Sequence, residues 1–493
     1  MRLNELFKSV AFSLSQQITD FQVKGITSDS RKVSDGFIFV AVKGANFDGH
    51  DFIKQAISGG AKLIIAEKQI TDPSIKGKCY RVEDTRKALT NLVSVFSGNP
   101  SRLMKVVGIT GTNGKTTVSY LIEAILKYTR SSPAVIGTIN YRFKNQVFNA
   151  VNTTPGCEQI QELLSRMQKA GEDYVVMEVS SHALDQERVG MVRFNMGIFT
   201  NLAVDHLDYH RDVDSYFAAK SKLFRQLSPD GFAILNIDDA RALKLKQLTK
   251  ARVITYGLVN QADVKAEELC SSLEGTELVL SFSPQASKDY CGGINRLMLR
   301  TSLIGRHNVY NILAAVAFAI TQGIDAEIIK VSMENFKGVP GRLEKVATGS
   351  NFMVLVDYAH TQDALRNVIS SLRPLCKGRL TIVFGCGGER DKGKRPEMGK
   401  VATELADYAV ITTDNPRGED PVKIIEDIIS GISKKNFEVV ADRREAIKQA
   451  LCLAKKDDII LLAGKGHENY QIFKDKTIHF DDREVAREFL PSQ

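Results

Sequence analysis

The chain has 493 residues, enough for about three domains of ordinary size. Apolar residues make up 43% and charged residues 25%, which excludes a disordered chain, a collagen and a membrane-embedded bundle. The net charge is +8, but lysine and arginine are spread along the chain, so a nucleic-acid partner is not expected.

The first twenty residues interrupt their apolar positions with polar ones such as Asn4, Glu5 and Lys8. They therefore lack the unbroken apolar core of a secretory signal. Residues 312–320 form the most apolar stretch, but it is about half the length of a membrane span and indicates a buried helix. Seven scattered cysteines show neither a disulfide framework nor zinc-site spacing. We expect a cytoplasmic protein that makes no contact with a membrane.

The N-terminal part of the chain is predicted to be a small α/β domain. Residues 25–44 alternate short apolar runs with turn residues, residues 51–60 have a helical pattern and residues 61–67 are strand-like. Gly98, Asn99 and Pro100 then interrupt a helical stretch. We place the first domain at residues 1–99.

The central part is predicted to be an α/β domain with a mostly parallel sheet. A strand at residues 105–110 leads into a helix, and further strand-like segments alternate with helical ones. Those strands are residues 173–180, 196–202, 231–238 and 252–257. The more polar residues 260–300 predict an antiparallel insertion. This domain is placed at residues 100–338.

The C-terminal part is predicted to be a Rossmann-like α/β domain at residues 339–493. Pro340 and Gly341 separate it from the buried helix of the central domain. Its predicted strands alternate with helical stretches and are residues 352–359, 379–385, 408–413, 437–442 and 458–464. The predicted fold class is therefore α/β with three domains, the central one of the P-loop ATPase type.

The first strand of the central domain runs directly into GTNGKTT and then into a helix. A triphosphate is bound at such a turn by the backbone amides of the glycine-rich loop, the helix N-terminus and a lysine. A threonine hydroxyl there can bind magnesium. The spacing departs from GxxxxGK[ST] because Ile109 stands five residues before Gly114, so a structural glycine turn is the alternative. The predicted phosphate-binding residues are Gly111, Thr112, Asn113, Gly114, Lys115, Thr116 and Thr117.

Further motifs run along nearly the whole chain: GITGTNGKTT, MEVSSHAL, NLAVDHLDYH with a downstream AAK, GRHNVYN, GVPGRLE, VDYAHTQDAL and GCGGERDKGKRP. Together they resemble the Mur ligases, the amide-forming enzymes of peptidoglycan assembly. NTTPG, DNPR and GKGHE narrow the resemblance to ligases that add the third amino acid to UDP-N-acetylmuramoyl-L-alanyl-D-glutamate. In chain order, the resemblance implies domains that bind UDP, ATP and the amino acid.

Glu178 ends one apolar strand and His206 follows another, which puts both at the sheet edge where α/β folds bind ligands. A carboxylate suits Mg²⁺, whereas imidazole is a less usual ligand. From the residues alone, His206 also fits a capping or hydrogen-bonding role. The resemblance implies that Thr116, Glu178 and His206 bind Mg²⁺.

The resemblance also implies that Lys220 is carboxylated by CO₂ and binds a second Mg²⁺. An ammonium group repels a metal, but a desolvated lysine loses its proton more readily and its neutral amine captures CO₂. A surface lysine on a helix is the alternative. The implied catalytic residues are Lys115, Glu178, His206 and Lys220.

The rest of the nucleotide is expected to contact the link to the third domain and that domain itself. The resemblance implies that His307, Asn308, Asn311, Arg342 and Asp357 complete the ATP site. Asn308 and Asn311 fit helix capping equally well from the residues alone. Arg342 and Asp357 supply a cation and a carboxylate where the third domain closes over the nucleotide.

The anionic UDP-sugar dipeptide needs polar contacts spread over two domains. The resemblance implies that it is bound by Ser28, Ser30, Asn152, Thr153, Thr154, Ser180, Gln186 and Arg188. Residues 45–49, which follow Lys43 and Gly44, are a weaker match, and a surface loop is the alternative for them.

DNPR at residues 414–417 resembles the meso-diaminopimelate site of this group. Diaminopimelate carries a second carboxylate that lysine lacks, and a guanidinium such as that of Arg417 binds a carboxylate through two parallel hydrogen bonds. Asp414 and Glu468 suit the ammonium group, and Arg390 adds a second cation. The implied site is Arg390, Asp414, Asn415, Pro416, Arg417, Gly464 and Glu468.

The resemblance implies a monomeric ATP-dependent ligase with Mg²⁺ as cofactor and only small molecules as partners. It would add meso-diaminopimelate to the D-glutamate through an acyl phosphate. The alternatives within the family are a lysine-adding ligase, a D-alanyl-D-alanine-adding ligase and a folylpolyglutamate synthase, and DNPR and NTTPG argue against each. An alternative from another class is a nucleotide switch that only hydrolyses ATP. Dinucleotide oxidoreduction is disfavoured because Gly385, Gly387 and Gly388 lack GxGxxG spacing.

Overall fold

A computed structural model describes residues 1–12, 18–44, 47–70, 72, 75, 77–346 and 351–490. Ala45 and Asn46, at the start of the weakly matching loop, lie outside the described residues. Three large sheets, each packed with helices, follow one another along the chain, which confirms the predicted three-domain fold.

The N-terminal sheet has four parallel strands in sequence order. Its strands are β1 (Gly25–Thr27), β2 (Phe37–Val40), β3 (Ala61–Ala66) and β4 (Cys79–Arg81), and its helices are α1 (Leu3–Ser9), α2 (Ile53–Ser58) and α3 (Thr85–Phe96). Leu63 and Ile65 pack on one face of the sheet and Ile64 on the other. Burial of both faces explains why residues 63–66 of β3 are all apolar.

The central sheet has eleven strands, with β5 in its interior. They are β5 (Lys105–Thr110), β6 (Pro133–Ile136), β7 (Asn140–Phe143), β8 (Gln146–Asn149), β9 (Tyr174–Glu178), β10 (Met196–Phe199), β11 (Phe232–Asn236), β12 (Arg252–Gly257), β13 (Val264–Ser271), β14 (Thr276–Phe282) and β15 (Arg296–Thr301). Strands β6, β9, β5, β10, β11, β12 and β13 are parallel neighbours in that order. The antiparallel β13–β15 confirm the prediction for residues 260–300, whereas the β7–β8 hairpin was not predicted.

The helices of this domain cover both faces of the sheet. They are α4 (Lys115–Lys127), α5 (Cys157–Lys169), α6 (Ser181–Asp185), α7 (Leu207–His210), α8 (Val213–Arg225), α9 (Arg241–Leu248), α10 (Pro284–Tyr290), α11 (Arg306–Thr321) and α12 (Ala326–Glu334). Residues 312–320 of α11 are buried throughout, which confirms the predicted core helix. Within the described ranges, no helix combines the length and apolarity that crossing a membrane requires.

The C-terminal sheet has the order β16-β17-β21-β18-β19-β20. The strands of this part are β16 (Glu344–Val346), β17 (Met353–Asp357), β18 (Leu380–Phe384), β19 (Tyr408–Ile411), β20 (Phe437–Val439), β21 (Ile459–Ala463), and a separate pair β22 (Tyr470–Ile472) and β23 (Thr477–His479). Its helices are α13 (Gln362–Leu372), α14 (Lys394–Leu405), α15 (Pro421–Ile429), α16 (Arg443–Cys452) and α17 (Asp482–Phe489). Strand β21 lies between β17 and β18, so the loops after these strands meet where open α/β sheets bind ligands.

Candidate active site

A cavity of about 1120 Å³ lies between the central and C-terminal domains. Its walls are the loops that follow β5, β9 and β10 of the central sheet and β17, β19 and β21 of the C-terminal sheet. The carboxyl ends of parallel strands from two sheets therefore converge on one space. Most of the predicted site residues lie on its surface.

The predicted phosphate loop has a conformation that requires its glycines. Gly111 and Gly114 have φ values of 151° and 88°, in the region that favours glycine. A Cβ on Gly111 would lie 1.9 Å from Oγ1 of Thr200, and one on Gly114 would lie 2.3 Å from Oδ1 of Asn311. The Asn113 amide donates to Oδ1 of Asn201 at 2.9 Å. Thr200 and Asn201, which sequence reasoning missed, hold the loop from the end of β10.

Two lysines approach this loop from different helices. Lys115, the first residue of α4, donates from Nζ to the carbonyl oxygens of Gly111 and Thr112, each at 2.8 Å. Lys220 of α8 is buried, and its Nζ donates to the carbonyl of Gly111 at 2.8 Å. Burial lowers the pKa of Lys115. Burial and the nearby charge of Lys115 lower the pKa of Lys220 well below its usual value, which favours a neutral amine there.

Glu178 lies at the end of β9 and is buried. Its Oε2 accepts hydrogen bonds from Thr116 Oγ1 at 2.8 Å and Thr138 Oγ1 at 2.9 Å, and its Oε1 accepts one from the Thr138 amide at 2.9 Å. His206 lines the same cavity, and desolvation lowers its pKa to about 4, which keeps the imidazole neutral at neutral pH.

These side chains have the chemistry of a magnesium site. Carboxylate and hydroxyl oxygens are hard donors, and Thr116 and Glu178 already touch. Among the described residues, no three histidine, cysteine, aspartate or glutamate side chains converge as a complete metal cage. A partial set agrees with Mg²⁺, which usually keeps waters and substrate phosphates as ligands. Lys220 fits such a set only as a carbamate, because its ammonium form repels a cation.

The C-terminal domain contacts the phosphate loop directly. Asn113 Nδ2 donates to Oδ2 of Asp363 at 3.0 Å, and Arg342 Nη2 donates to Oγ1 of Thr116 at 3.4 Å. Asp357 is buried and accepts the backbone amides of Leu343 and Ala359 at 2.7 and 2.8 Å. Asp363 was not predicted as a site residue.

Three further residues predicted for the ATP site, His307, Asn308 and Asn311, line the cavity near the start of α11. Asn308 Nδ2 donates to the carbonyl of Ile304 at 2.8 Å, and Asn311 Nδ2 donates to Oδ1 of Asn308 at 3.0 Å. The two asparagines therefore brace the first turns of the helix while also facing the cavity. His307 Nδ1 lies 3.2 Å from Oγ of Ser371 in α13.

The residues predicted for the UDP-sugar dipeptide fall into two groups. Asn152, Thr153, Thr154, Ser180 and Arg188 line the cavity. Arg188 donates to the carbonyl of Thr154 at 2.8 Å and to Oε1 of Gln186 at 2.7 and 3.0 Å. Gln186 thus lies behind Arg188 rather than on the cavity wall.

Ser28 and Ser30 lie in the N-terminal domain, away from the cavity wall. The backbone amide and hydroxyl of Ser28 donate to Oε1 of Glu158 in α5 at 3.0 and 2.8 Å. Ser30 donates to Oε1 of Gln55 at 2.8 Å. Glu158, which sequence reasoning missed, joins the first domain to the second at the predicted uridine end of the site.

The loop after β19 carries the predicted amino-acid site. Arg417 has a left-handed backbone with φ of 52°, and its Nη1 donates to the carbonyls of Gly388 and Asn415 at 2.8 and 3.4 Å. The carbonyl oxygen of Pro416 lies close to Gly388, and a Cβ on Gly388 would be 1.9 Å from that oxygen. Arg390 lines the same part of the cavity. Arg390 lies in the loop after β18, so the loops after β18 and β19 together place two guanidinium groups at the cavity.

Two carboxylates, those of Asp414 and Glu468, line the same cavity. Asp414 is buried beside Gly464, whose φ is 109° and whose added Cβ would lie 2.7 Å from Oδ2 of Asp414. Burial and the charge of Asp414 raise the pKa of Glu468. Lys465, which follows Gly464, is fully buried beside Glu468. Sequence reasoning singled out Gly464 and Glu468 but missed Lys465, although a lysine directly after an apolar strand was a visible signal.

Comparisons with known proteins agree over the whole chain. Three family models match it: the Mur ligase family catalytic domain at residues 22–97, the Mur ligase middle domain at 109–319, and the Mur ligase glutamate ligase domain at 341–466. The chain is 43% identical over 495 residues to a UDP-N-acetylmuramoyl-L-alanyl-D-glutamate–2,6-diaminopimelate ligase of Syntrophomonas wolfei, with 99% of each chain covered.

Two further relatives carry the same name. One, from Bacillus cereus, is 43% identical over 475 residues, with 95% of this chain and 94% of the relative covered. The other is a solved structure that is 32% identical, with 98% of each chain covered and a TM-score of 0.69.

Proposed function

Since the chain belongs to the Mur ligase family, we propose that it is an ATP-dependent, ADP-forming ligase of peptidoglycan precursor synthesis. It adds meso-diaminopimelate to the D-glutamate of UDP-N-acetylmuramoyl-L-alanyl-D-glutamate. The relatives that share about two-fifths of its sequence over their full length carry this activity in their names. The observation that carries the proposal is the cavity, which joins a phosphate loop to a pocket of paired carboxylates and arginines.

The proposal assigns residues 1–99 to UDP binding, 100–338 to ATP binding and 339–493 to amino-acid binding. The protein would act as a cytoplasmic monomer on small molecules, without a nucleic-acid or membrane partner. Ser28 and Ser30 would bind the uridine end, and the cavity-lining Asn152, Thr154 and Arg188 the sugar and peptide.

The phosphate loop and Lys115 would hold the β- and γ-phosphates of ATP, since backbone amides and an ammonium group offset the charge of a triphosphate. Thr116, Glu178, His206 and carboxylated Lys220 would hold Mg²⁺. Bound there, Mg²⁺ supplies positive charge that offsets the phosphate oxygens.

In the first step, a carboxylate of the D-glutamate attacks the γ-phosphorus. The bond to the β,γ-bridging oxygen breaks, and an acyl phosphate and ADP form. Lys115 stabilises the charge that moves onto the leaving oxygen. No protein nucleophile takes part. Walls from two domains limit the access of water, which would otherwise hydrolyse the acyl phosphate.

In the second step, the amine of diaminopimelate attacks the acyl carbon, phosphate leaves and the amine loses a proton. Arg417 would bind the distal carboxylate, while Asp414 and Glu468 would bind the distal ammonium group. L-Lysine lacks that carboxylate and would leave Arg417 without its ionic partner. We expect this to cost about 1 to 3 kcal/mol, or roughly tenfold to more than a hundredfold in kcat/KM.

The test is ADP release by the purified protein with UDP-N-acetylmuramoyl-dipeptide, ATP and Mg²⁺, with meso-diaminopimelate or L-lysine in separate reactions. Mass spectrometry would identify the tripeptide product. Turnover with diaminopimelate alone supports the proposal, and equal or faster turnover with lysine would make it a lysine-adding ligase. Phosphate release that is equally fast without any amine would indicate a nucleotide switch.

A further inference from the structure

Lys465 follows the last strand of the C-terminal sheet, and its side chain is fully buried. Its Nζ lies 3.3 Å from Oδ1 of Asn415 and 3.4 Å from Oε2 of Glu468. The Tyr470 ring lies 5.6 Å away. A buried ammonium group is costly unless it is paired and hydrogen-bonded, so a surface role does not explain this lysine.

Asn415 forms hydrogen bonds with both Lys465 and Glu468. Its Nδ2 donates to Oε2 of Glu468 at 2.8 Å, and its Oδ1 accepts the backbone amide of Ile472 at 3.0 Å as well as Lys465 Nζ. Oε2 of Glu468 therefore accepts hydrogen bonds from both Asn415 and Lys465. These two side chains are also hydrogen-bonded to each other. This closed triangle of Lys465, Asn415 and Glu468 sets the position of the carboxylate.

The electrostatic surroundings of Glu468 oppose its ionisation. Burial and the neighbouring Asp414 raise the pKa of this carboxyl, whereas the charge of Lys465 and the hydrogen bonds of Asn415 and Lys465 act against that rise. The ionisable groups that interact with Glu468 from the surrounding elements are Asp414 after β19, Lys465 after β21, Tyr358 after β17, Tyr470 in β22 and Arg443 in α16.

We propose that Lys465 is a positioning residue for the diamino acid. It orients Glu468 and keeps it ionised, so that Glu468 and Asp414 together receive the ammonium group of the substrate. Lys465 itself does not touch the substrate. Without it, two close carboxylates would share the pocket and one would take up a proton. This inference rests on the function proposed above.

The experiment compares wild-type protein with Lys465→Met, Lys465→Arg and the exposed-lysine control Lys474→Met, each in full-length form. We expect Lys465→Met to raise KM for diaminopimelate by about tenfold to a hundredfold, while KM for ATP stays within about twofold. Lys465→Arg should recover part of that loss, and Lys474→Met should match wild type.

The pH dependence separates charge from packing. KM for diaminopimelate should rise as pH falls, because a protonated Glu468 no longer attracts an ammonium group. In Lys465→Met the midpoint of that rise should move upward by about one pH unit or more. Lys465→Gln removes the charge but keeps a hydrogen-bond donor, so it should show the same shift even if the methionine variant folds poorly. In a Glu468→Gln background, Lys465→Met should add little further effect.

If the wild-type protein joins diaminopimelate but Lys465→Met and Lys465→Gln keep the wild-type KM and pH midpoint, the role of Lys465 is overturned. The proposed function would stand in that case. Equal losses for ATP and diaminopimelate would also overturn it, since they would indicate a general structural role. Failure of the wild-type protein to join diaminopimelate would overturn the proposed function, and this inference with it.

Discussion

Lys115 and Lys220 donate to the same acceptor: each Nζ lies 2.8 Å from the carbonyl oxygen of Gly111. The two lysines come from different helices, α4 and α8. Two ammonium groups this close repel each other, so one of them is favoured in its neutral form. The pKa of Lys220 is lowered further than the pKa of Lys115. The amine of Lys220 is therefore the better candidate for reaction with CO₂.

Lys220→Ala is expected to lower kcat on the order of a hundredfold, because a carbamate ligand for Mg²⁺ would be lost. The matched control is Lys222→Ala on the same helix, whose Nζ contacts Glu187 at 3.3 Å outside the phosphate loop. Steady-state rates and ¹³C NMR after growth in labelled bicarbonate provide the measurements. Wild-type activity in Lys220→Ala would contradict the carbamate role.

Arg417→Ala is expected to lower kcat/KM for diaminopimelate by about tenfold to a hundredfold and to leave the low value for L-lysine nearly unchanged. The reason is that only diaminopimelate offers the second carboxylate. Arg417→Lys keeps the charge but loses the planar fork, so it should recover only part of the activity. Rates with the two amines in parallel test this, and equal losses for both would argue against the assignment.

His307 should make the protein less stable in acid. Burial and then the charge of Arg342 lower the pKa of His307 to about 4, from an unfolded value of 6.5. Its contribution to the free energy of unfolding is therefore complete above pH 6.5 and lost as pH falls toward 4. His307→Asn should lose less thermal stability than wild type between pH 7.5 and 5.0, measured without nucleotide. An equal loss in both proteins would rule out this histidine as a source.

Arg443 and Asp482 form a buried ion pair between α16 and α17. Arg443 donates to the two carboxylate oxygens at 2.8 and 2.7 Å and to the carbonyl of Ala463 at 3.0 Å. Arg443→Met should destabilise the protein by about 3 to 5 kcal/mol, because it leaves Asp482 charged and unpaired. The neighbouring Arg444 pairs with Glu488 on the surface, so Arg444→Met should cost less than about 1 kcal/mol.

Urea denaturation of the two arginine variants provides the comparison. The double variant Arg443→Met with Asp482→Leu should recover much of the lost stability, since both buried charges are then absent. Similar unfolding midpoints for Arg443→Met and Arg444→Met would contradict this account.

The sequence predicts the fold well where strands are buried on both faces. Short apolar runs such as β9 and β21 favour buried strands because a helix needs a longer run, and Gly171 and Gly464 lie near their ends. The β7–β8 hairpin was missed because its residues, from Asn140 to Asn149, are partly exposed and lack an apolar run. Polar edge strands carry little signal in a single sequence.

Prediction of the site has a similar limit. The phosphate loop could be found because a strand, glycines and a helix occur in direct succession. Asp363 and Glu158 were missed since each matters only through a partner in another domain, Asn113 and Ser28 respectively. Ser28 was predicted as a substrate residue, yet its own contact with Glu158 depends on how two domains pack. Contacts of this kind follow from the tertiary fold and not from local pattern.

The hydrogen bond between Asn113 and Asp363 spans the two domains that wall the cavity. If ATP binds at the phosphate loop and the diamino acid at the loop after β19, as proposed, each ligand contacts one of the two domains that this hydrogen bond joins. Thermodynamic reciprocity then requires that, if nucleotide tightens diamino-acid binding by some factor, the diamino acid tightens nucleotide binding by the same factor. Loss of this single bond in Asp363→Ala should weaken that cooperativity more than it weakens either affinity measured alone.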